Sequence, residues 1–113
     1  MSEQTPVFDA SVLIDMFGRE SAIIASVLQT FVDSTRGSLA ELAQTCADQN
    51  PEAVAALAHR ISGASRMSGA YALGDAARVL EQAAKQGDTV KIERDRLALD
   101  LQWHILLSTI SFQ

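Results

Sequence analysis

The chain is short of residues that break helices or cross-link loops: two prolines, six glycines and one cysteine in 113 residues. A lone cysteine, Cys46, excludes an intramolecular disulfide and points to a reducing, cytoplasmic compartment. Basic charge is scarce too. Nine Lys and Arg against fourteen Asp and Glu leave a formal charge of −5, which excludes a nucleic-acid partner, because phosphate binding needs a basic face. The same charge argues against an anionic membrane surface. No long hydrophobic run occurs: the richest, "AIIASVL" from Ala22, is far too short to cross a bilayer. The opening "MSEQTPVFD" lacks the charged start and apolar stretch of a secretory signal, and its form points to a standalone protein.

What is present reads as helix. Hydrophobic residues make up 48% of the chain and charged residues 20%, the balance of a globular domain with one modest core. Asp9 is placed to cap a short first helix carrying Val12, Leu13, Met16 and Phe17, which Gly18 ends. A second helix starts near Ser21, with Ile24, Val27, Leu28, Phe31, Thr35, Leu39, Leu42 and Cys46 on one side and Gly37 as a candidate bend. "NPE" starts the third: Asn50 caps, Pro51 takes the first turn, and Glu52 meets the positive end of the helix dipole. That helix is expected to end near Met67 or Ser68, and a fourth covers "AYALGDAARVLEQAAKQ" up to Gly87. Asp88 caps the last, which runs to about Ser108 with Val90, Arg94 (its aliphatic stem), Leu97, Leu101 and Ile105 expected on the core side. Short turns between four long helices predict an all-α fold, an antiparallel four-helix bundle with a short additional N-terminal helix. Residues 1–113 form one domain, with residues 1–8 expected as a flexible leader.

"AHRISGASRMSGA", from Ala58 to Ala70, is the stretch that carries chemistry. On a helical wheel Val54, Leu57, Ala58, Ile61, Ala64, Ser65 and Ser68 share one side, while Glu52, Ala55, His59, Ser62, Gly63 and Arg66 share the other. His59 lies about 160° from the centre of the apolar stripe, so it is not a core histidine. The residues one turn away are Ala55, Ala56, Ser62 and Gly63, where a solvated helix ordinarily carries Glu, Lys, Arg or Gln. Small neighbours leave the imidazole open to a bulky partner. Gly63, about 0.5–1 kcal/mol less favourable than alanine in a helix, either keeps that face open or permits a close helix contact.

"HRISGASRMSGAYALGDAARVLEQ" resembles the signature of histidine-containing phosphotransfer (HPt) domains of bacterial phosphorelays. The matching positions are His59, Ile61, Gly63, the pair Gly69-Ala70, Leu73 and Leu80; at Ser62 many members have lysine. The resemblance covers about two helices and implies a five-helix plan around a four-helix core. It implies that His59 accepts a phosphoryl group from a receiver domain's aspartyl-phosphate and passes it to another receiver's aspartate. The implied partners are receiver domains of response regulators and of hybrid sensor kinases. The chain itself would need no cofactor, since the receiver supplies Mg2+. A histidine of ordinary pKa, about 6.5, is mostly neutral near pH 7 and needs no base to act as nucleophile. With Ser62 uncharged, Arg66 is the candidate phosphate-binding cation and Arg60, about 100° away, a weaker one.

Ala55, Ala56, Met67, Phe17 and Ile23 are candidates for receiver contact, and a monomer is expected. A different function is a non-phosphorylated helical adaptor that binds and inhibits a receiver or kinase; a third is a plain dimerising bundle. No His-Glu-x-x-His spacing suggests a metal site. Absence of a glycine-rich phosphate loop excludes ATP-dependent kinase activity. His104, within "LQWHILL", reads as a structural or partly exposed histidine, and Cys46 as a small hydrophobe.

Overall fold

A computed structural model describes residues 5–110 of the chain. Five helices follow one another: α1 (Ser11–Phe17), α2 (Ser21–Ala47), α3 (Pro51–Met67), α4 (Tyr71–Gln86) and α5 (Thr89–Ile110). The described residues contain no strand. The connections after α2, α3 and α4 are only two or three residues long, so each long helix folds back on its predecessor. The result is the up-down-up-down bundle, with α3 against α2 and α4, and α4 against α5.

Local signals set the boundaries. The Asn50 side chain accepts a hydrogen bond from Ala53 N at 3.2 Å, with Pro51 in the first turn. Asp88 Oδ1 accepts from Lys91 N at 3.1 Å, and Gly87 ends α4 in the left-handed region at φ 67°. Asp9, expected as the cap of α1, instead stands one residue before the observed N-cap, Ala10. Its Oδ1 accepts from both the amide and the hydroxyl of Ser11, which holds its carboxyl below the usual aspartate pKa. The core is aliphatic, with Leu13, Leu42, Ile61, Leu73, Leu80, Leu99 and Leu106 fully buried and Trp103 at one edge. Ala58, Ala77, Ala83 and Ala84 are also buried, which lets α3 and α4 approach closely.

Three expectations change. In α5 the buried residues are Ile92, Leu99, Trp103 and Leu106, while Val90, Leu97, Leu101 and Ile105 are exposed and the Arg94 side chain points outward beside Asp95. The helix has two apolar faces, and its sequence alone does not say which one meets the bundle. In α1 only Leu13 is buried; Met16 and Phe17 face solvent. Of the leader, residues 1–4 lie outside the described residues, whereas residues 5–8 are held against the bundle. Pro6 O accepts from Ala72 N at 2.9 Å, Thr5 Oγ1 donates to Asp75 at 3.0 Å, and Val7 and Phe8 pack on the core. No helix in the described residues is long and apolar enough to cross a membrane.

Candidate functional site

His59 stands on the outer face of α3 with its side chain 77% exposed. The turn at Ser68–Ala70 sends α4 back alongside α3. Residue 81, ten after the start of α4, is thereby brought level with residue 59, eight before the end of α3. There Glu81 meets the imidazole: Nδ1 lies 3.1 Å from Oε2 and 3.3 Å from Oε1. Leu80, Ala77 and Ala84 anchor this part of α4 in the core, leaving Glu81 at the seam with its side chain only 10% exposed.

Lys85, one turn further along α4, places Nζ 3.0 Å from Glu81 Oε2 and is itself 58% exposed. Its hydrogen bond is the main reason the Glu81 carboxyl lies below the ordinary value of 4.5; burial opposes the effect and the contact with His59 adds to it. Glu81 is therefore ionised at neutral pH and can only accept hydrogen bonds. The proton sits on Nδ1, and the Nε2 lone pair is left for chemistry. One carboxylate thus selects the tautomer and fixes the plane of the ring.

This ion pair predicts a pH dependence. Because the folded-state pKa of Glu81 is depressed, its contribution to stability is present above the unfolded value near 4.5 and is lost as pH falls through the folded one. Wild type should be more stable than Glu81→Gln at about pH 6, with the gap closing by about pH 3 in urea titrations. An equal gap at both values would remove this account of the pair.

The other residues singled out in the sequence are not all brought to His59. Ser62 is buried, and its hydroxyl donates to the Gly74 carbonyl of α4 at 3.0 Å. It is a helix–helix contact, not a phosphate ligand. The wheel misplaced it because α3 is covered on two sides, by α2 and α4, so its buried arc is wider than one apolar stripe. Arg66 is also engaged with α4, its Nη2 bonded to Asp75 Oδ1 at 2.5 Å. Arg60 points the other way, 4.0 Å from Glu41 of α2. Neither arginine bonds to the carboxylate that holds His59; Lys85 does.

A Cβ built on Gly63 would meet nothing within 4 Å, so close helix contact is not its role and the surface beside His59 is open there. Ala56, Met67, Phe17 and Ile23 are exposed and Ala55 half-buried. His104 Nδ1 donates to the Asp100 carbonyl at 2.8 Å on the exposed side of α5. Cys46 is half-buried, and burial pushes its thiol pKa up, which makes it a poor nucleophile. Among the described residues no group of three or more His, Cys, Asp or Glu is placed to hold a metal ion.

The five-helix bundle thus presents an exposed histidine on α3 whose ring is oriented by a carboxylate of α4. The family model of the Hpt domain matches residues 26–111, and the chain belongs to that family. Its fold is similar to that of the crystal structure of histidine-containing phosphotransfer protein B (HptB) from Pseudomonas aeruginosa PAO1. The TM-score is 0.82 and the identity 22%, over 91% of this chain and 90% of that one. No curated protein matches the chain at a significant level.

Proposed function

We propose that His59 is the phosphoryl-accepting residue of a phosphorelay intermediate, taking the group from a receiver domain's aspartyl-phosphate and giving it to an aspartate of another receiver. One observation carries this: Nε2 is open to solvent while Nδ1 is held by an ionised carboxylate. The Nε2 lone pair attacks phosphorus, the P–O bond to the donor aspartate breaks, and its electron pair leaves on the carboxylate. The ring becomes cationic, and Glu81 offsets that charge through Nδ1–H. Transfer onward is the same step in reverse, on a second carboxylate. Positioning and charge stabilisation suffice for such a loose transition state, and the receiver brings the Mg2+.

Lys85 supplies the positive charge that Ser62 does not, which weighs against the adaptor reading. An exposed ammonium bound to Glu81 can also reach a phosphoryl oxygen on Nε2. Lys85→Ala should slow uptake of the phosphoryl group about tenfold and Lys85→Arg far less, whereas Arg66→Ala changes the rate less than about twofold. Rapid-quench kinetics with one phosphorylated receiver separates these, and a larger loss for Arg66→Ala would return the role to that arginine. The function itself is tested by incubating the protein with phosphorylated receiver domains and following label. Acid-labile, base-stable phosphate on wild type supports it; none, with receivers that phosphorylate other Hpt proteins, overturns it.

A further inference from the structure

Three polar contacts cross the seam between α3 and α4 in a row. His59, Ser62 and Arg66, three and four residues apart, share one face of α3. Across the seam they meet Glu81, Gly74 and Asp75. The outer two contacts each include a partner open to solvent, the imidazole at one end and the Arg66–Asp75 pair at the other. Exposed pairs of that kind restrain little, because water can replace either partner. Only the middle contact, from the Ser62 hydroxyl to the Gly74 carbonyl at 3.0 Å, has both partners buried.

No side chain separates the helices at that point. A Cβ added to Gly74 would stand 3.2 Å from Arg66 Cγ, 3.4 Å from the Ser62 carbonyl oxygen and 3.5 Å from Ser65 Cβ. Glycine is unfavourable inside a helix, and here its missing Cβ lets a hydroxyl of α3 reach the backbone of α4. A helical carbonyl has a second lone pair, so the contact leaves the α4 ladder intact. Were α3 to slide or turn on α4, the hydroxyl would lose its acceptor where water cannot substitute. Glu81 lies seven residues beyond Gly74, about 20° around α4, and His59 lies one turn before Ser62. The histidine and its carboxylate therefore take their register from this tie. Their bond tolerates little: Nδ1 lies 3.1 Å from Oε2, and a shift of about 1 Å carries it beyond hydrogen-bonding range.

We propose that Ser62 is a positioning residue for the phosphoryl-accepting histidine: its bond to the Gly74 carbonyl fixes the register of α3 on α4 and so holds the Glu81 carboxylate on Nδ1 of His59. A ring held in this way keeps its proton on Nδ1 and its lone pair on Nε2, the form that attacks phosphorus. This role rests on His59 being the phosphoryl acceptor, and it gives the serine a part that needs no contact with phosphate.

The ring nitrogens of His59, read by 15N NMR of the full chain at about pH 8.5 where the imidazole is neutral, test the proposal. His59→Gln identifies their signals against those of His104. Ser62→Ala should move the tautomer balance from Nδ1–H towards Nε2–H, and should slow phosphoryl uptake from a phosphorylated receiver about fivefold. Ser65→Ala is the matched control. Ser65 is fully buried on the same helix, and its hydroxyl has no hydrogen-bond partner among the described residues. The same deletion there should leave tautomer and rate as in wild type. A Ser62→Ala protein with the wild-type tautomer overturns the proposal whatever its stability, because a contact that only stabilises the fold would not move the proton. An equal change in Ser65→Ala also overturns it, since the effect would then follow from losing any hydroxyl of α3. The tautomer is read without a receiver. A chain that shows the shift in Ser62→Ala but takes up no phosphate as wild type supports the tie and sinks the phosphorelay reading instead.

Discussion

A His59→Gln protein takes up no phosphoryl group from any receiver that phosphorylates the wild type, although it folds with nearly unchanged stability. The imidazole is 77% exposed and meets the bundle through its contact with Glu81, so its loss is worth less than about 0.5 kcal/mol and a melting shift of a few degrees at most. The glutamine amide still reaches Glu81 as a donor, which keeps the carboxylate partnered. Its nitrogen lone pair is delocalised into the carbonyl, and no nucleophile remains at the site. Label transfer and a thermal melt on the same sample check both halves. Phosphate on the substituted protein would point to His104, the chain's other histidine, whose Nδ1 is tied to a backbone carbonyl.

The largest effect on folding is expected at Gly69→Ala. Gly69 closes α3 at φ +85°, a conformation that side chains rarely adopt. Its carbonyl accepts from Asp9 N at 2.9 Å, so the segment leading into α1 lies directly over it. An added Cβ would sit 3.1 Å from the Asp9 carbonyl carbon and closer still to its oxygen. Both neighbours are backbone and cannot rotate aside. Strain at positive φ and overpacking each cost about 1–3 kcal/mol, so a loss of about 3 kcal/mol is expected. For a domain of this size that lowers the melting temperature by about 10 °C or more. Denaturant titration gives the value, and a loss below about 1 kcal/mol would mean the lead segment moves away without cost.

How legible the protein was in its sequence depended on whether a property belonged to one helix or to two. Asn50-Pro51, Gly87 and Asp88 act on their own turns, and their helices start and stop where those residues predict. The exposure of His59 follows from its angle on a single helix, and the structure agrees. Ser62 and α5 fail for a common reason. Burial is decided by which neighbour arrives, and a helix flanked on two sides, or apolar on two sides, carries no record of that choice in its own periodicity. Glu81 and Lys85 lie 22 and 26 residues beyond His59, and no local pattern joins them to it. The signal that was there is their spacing: an acid four residues before a base on one face of α4, beside the buried Leu80 and Ala84.

The openness of His59 has a consequence for traffic through a relay. On the proposed function, a phosphoryl group carried by this ring, 77% exposed, would not be enclosed by its own carrier, which would then set no gate on when it leaves. Any receiver that fits the face around Gly63 could then draw on it, and the free energies of the competing aspartyl-phosphates would decide the net flow. Such a module would behave as a shared reservoir, emptied or refilled according to how many receivers of each kind are phosphorylated, with its selectivity set by the docking face.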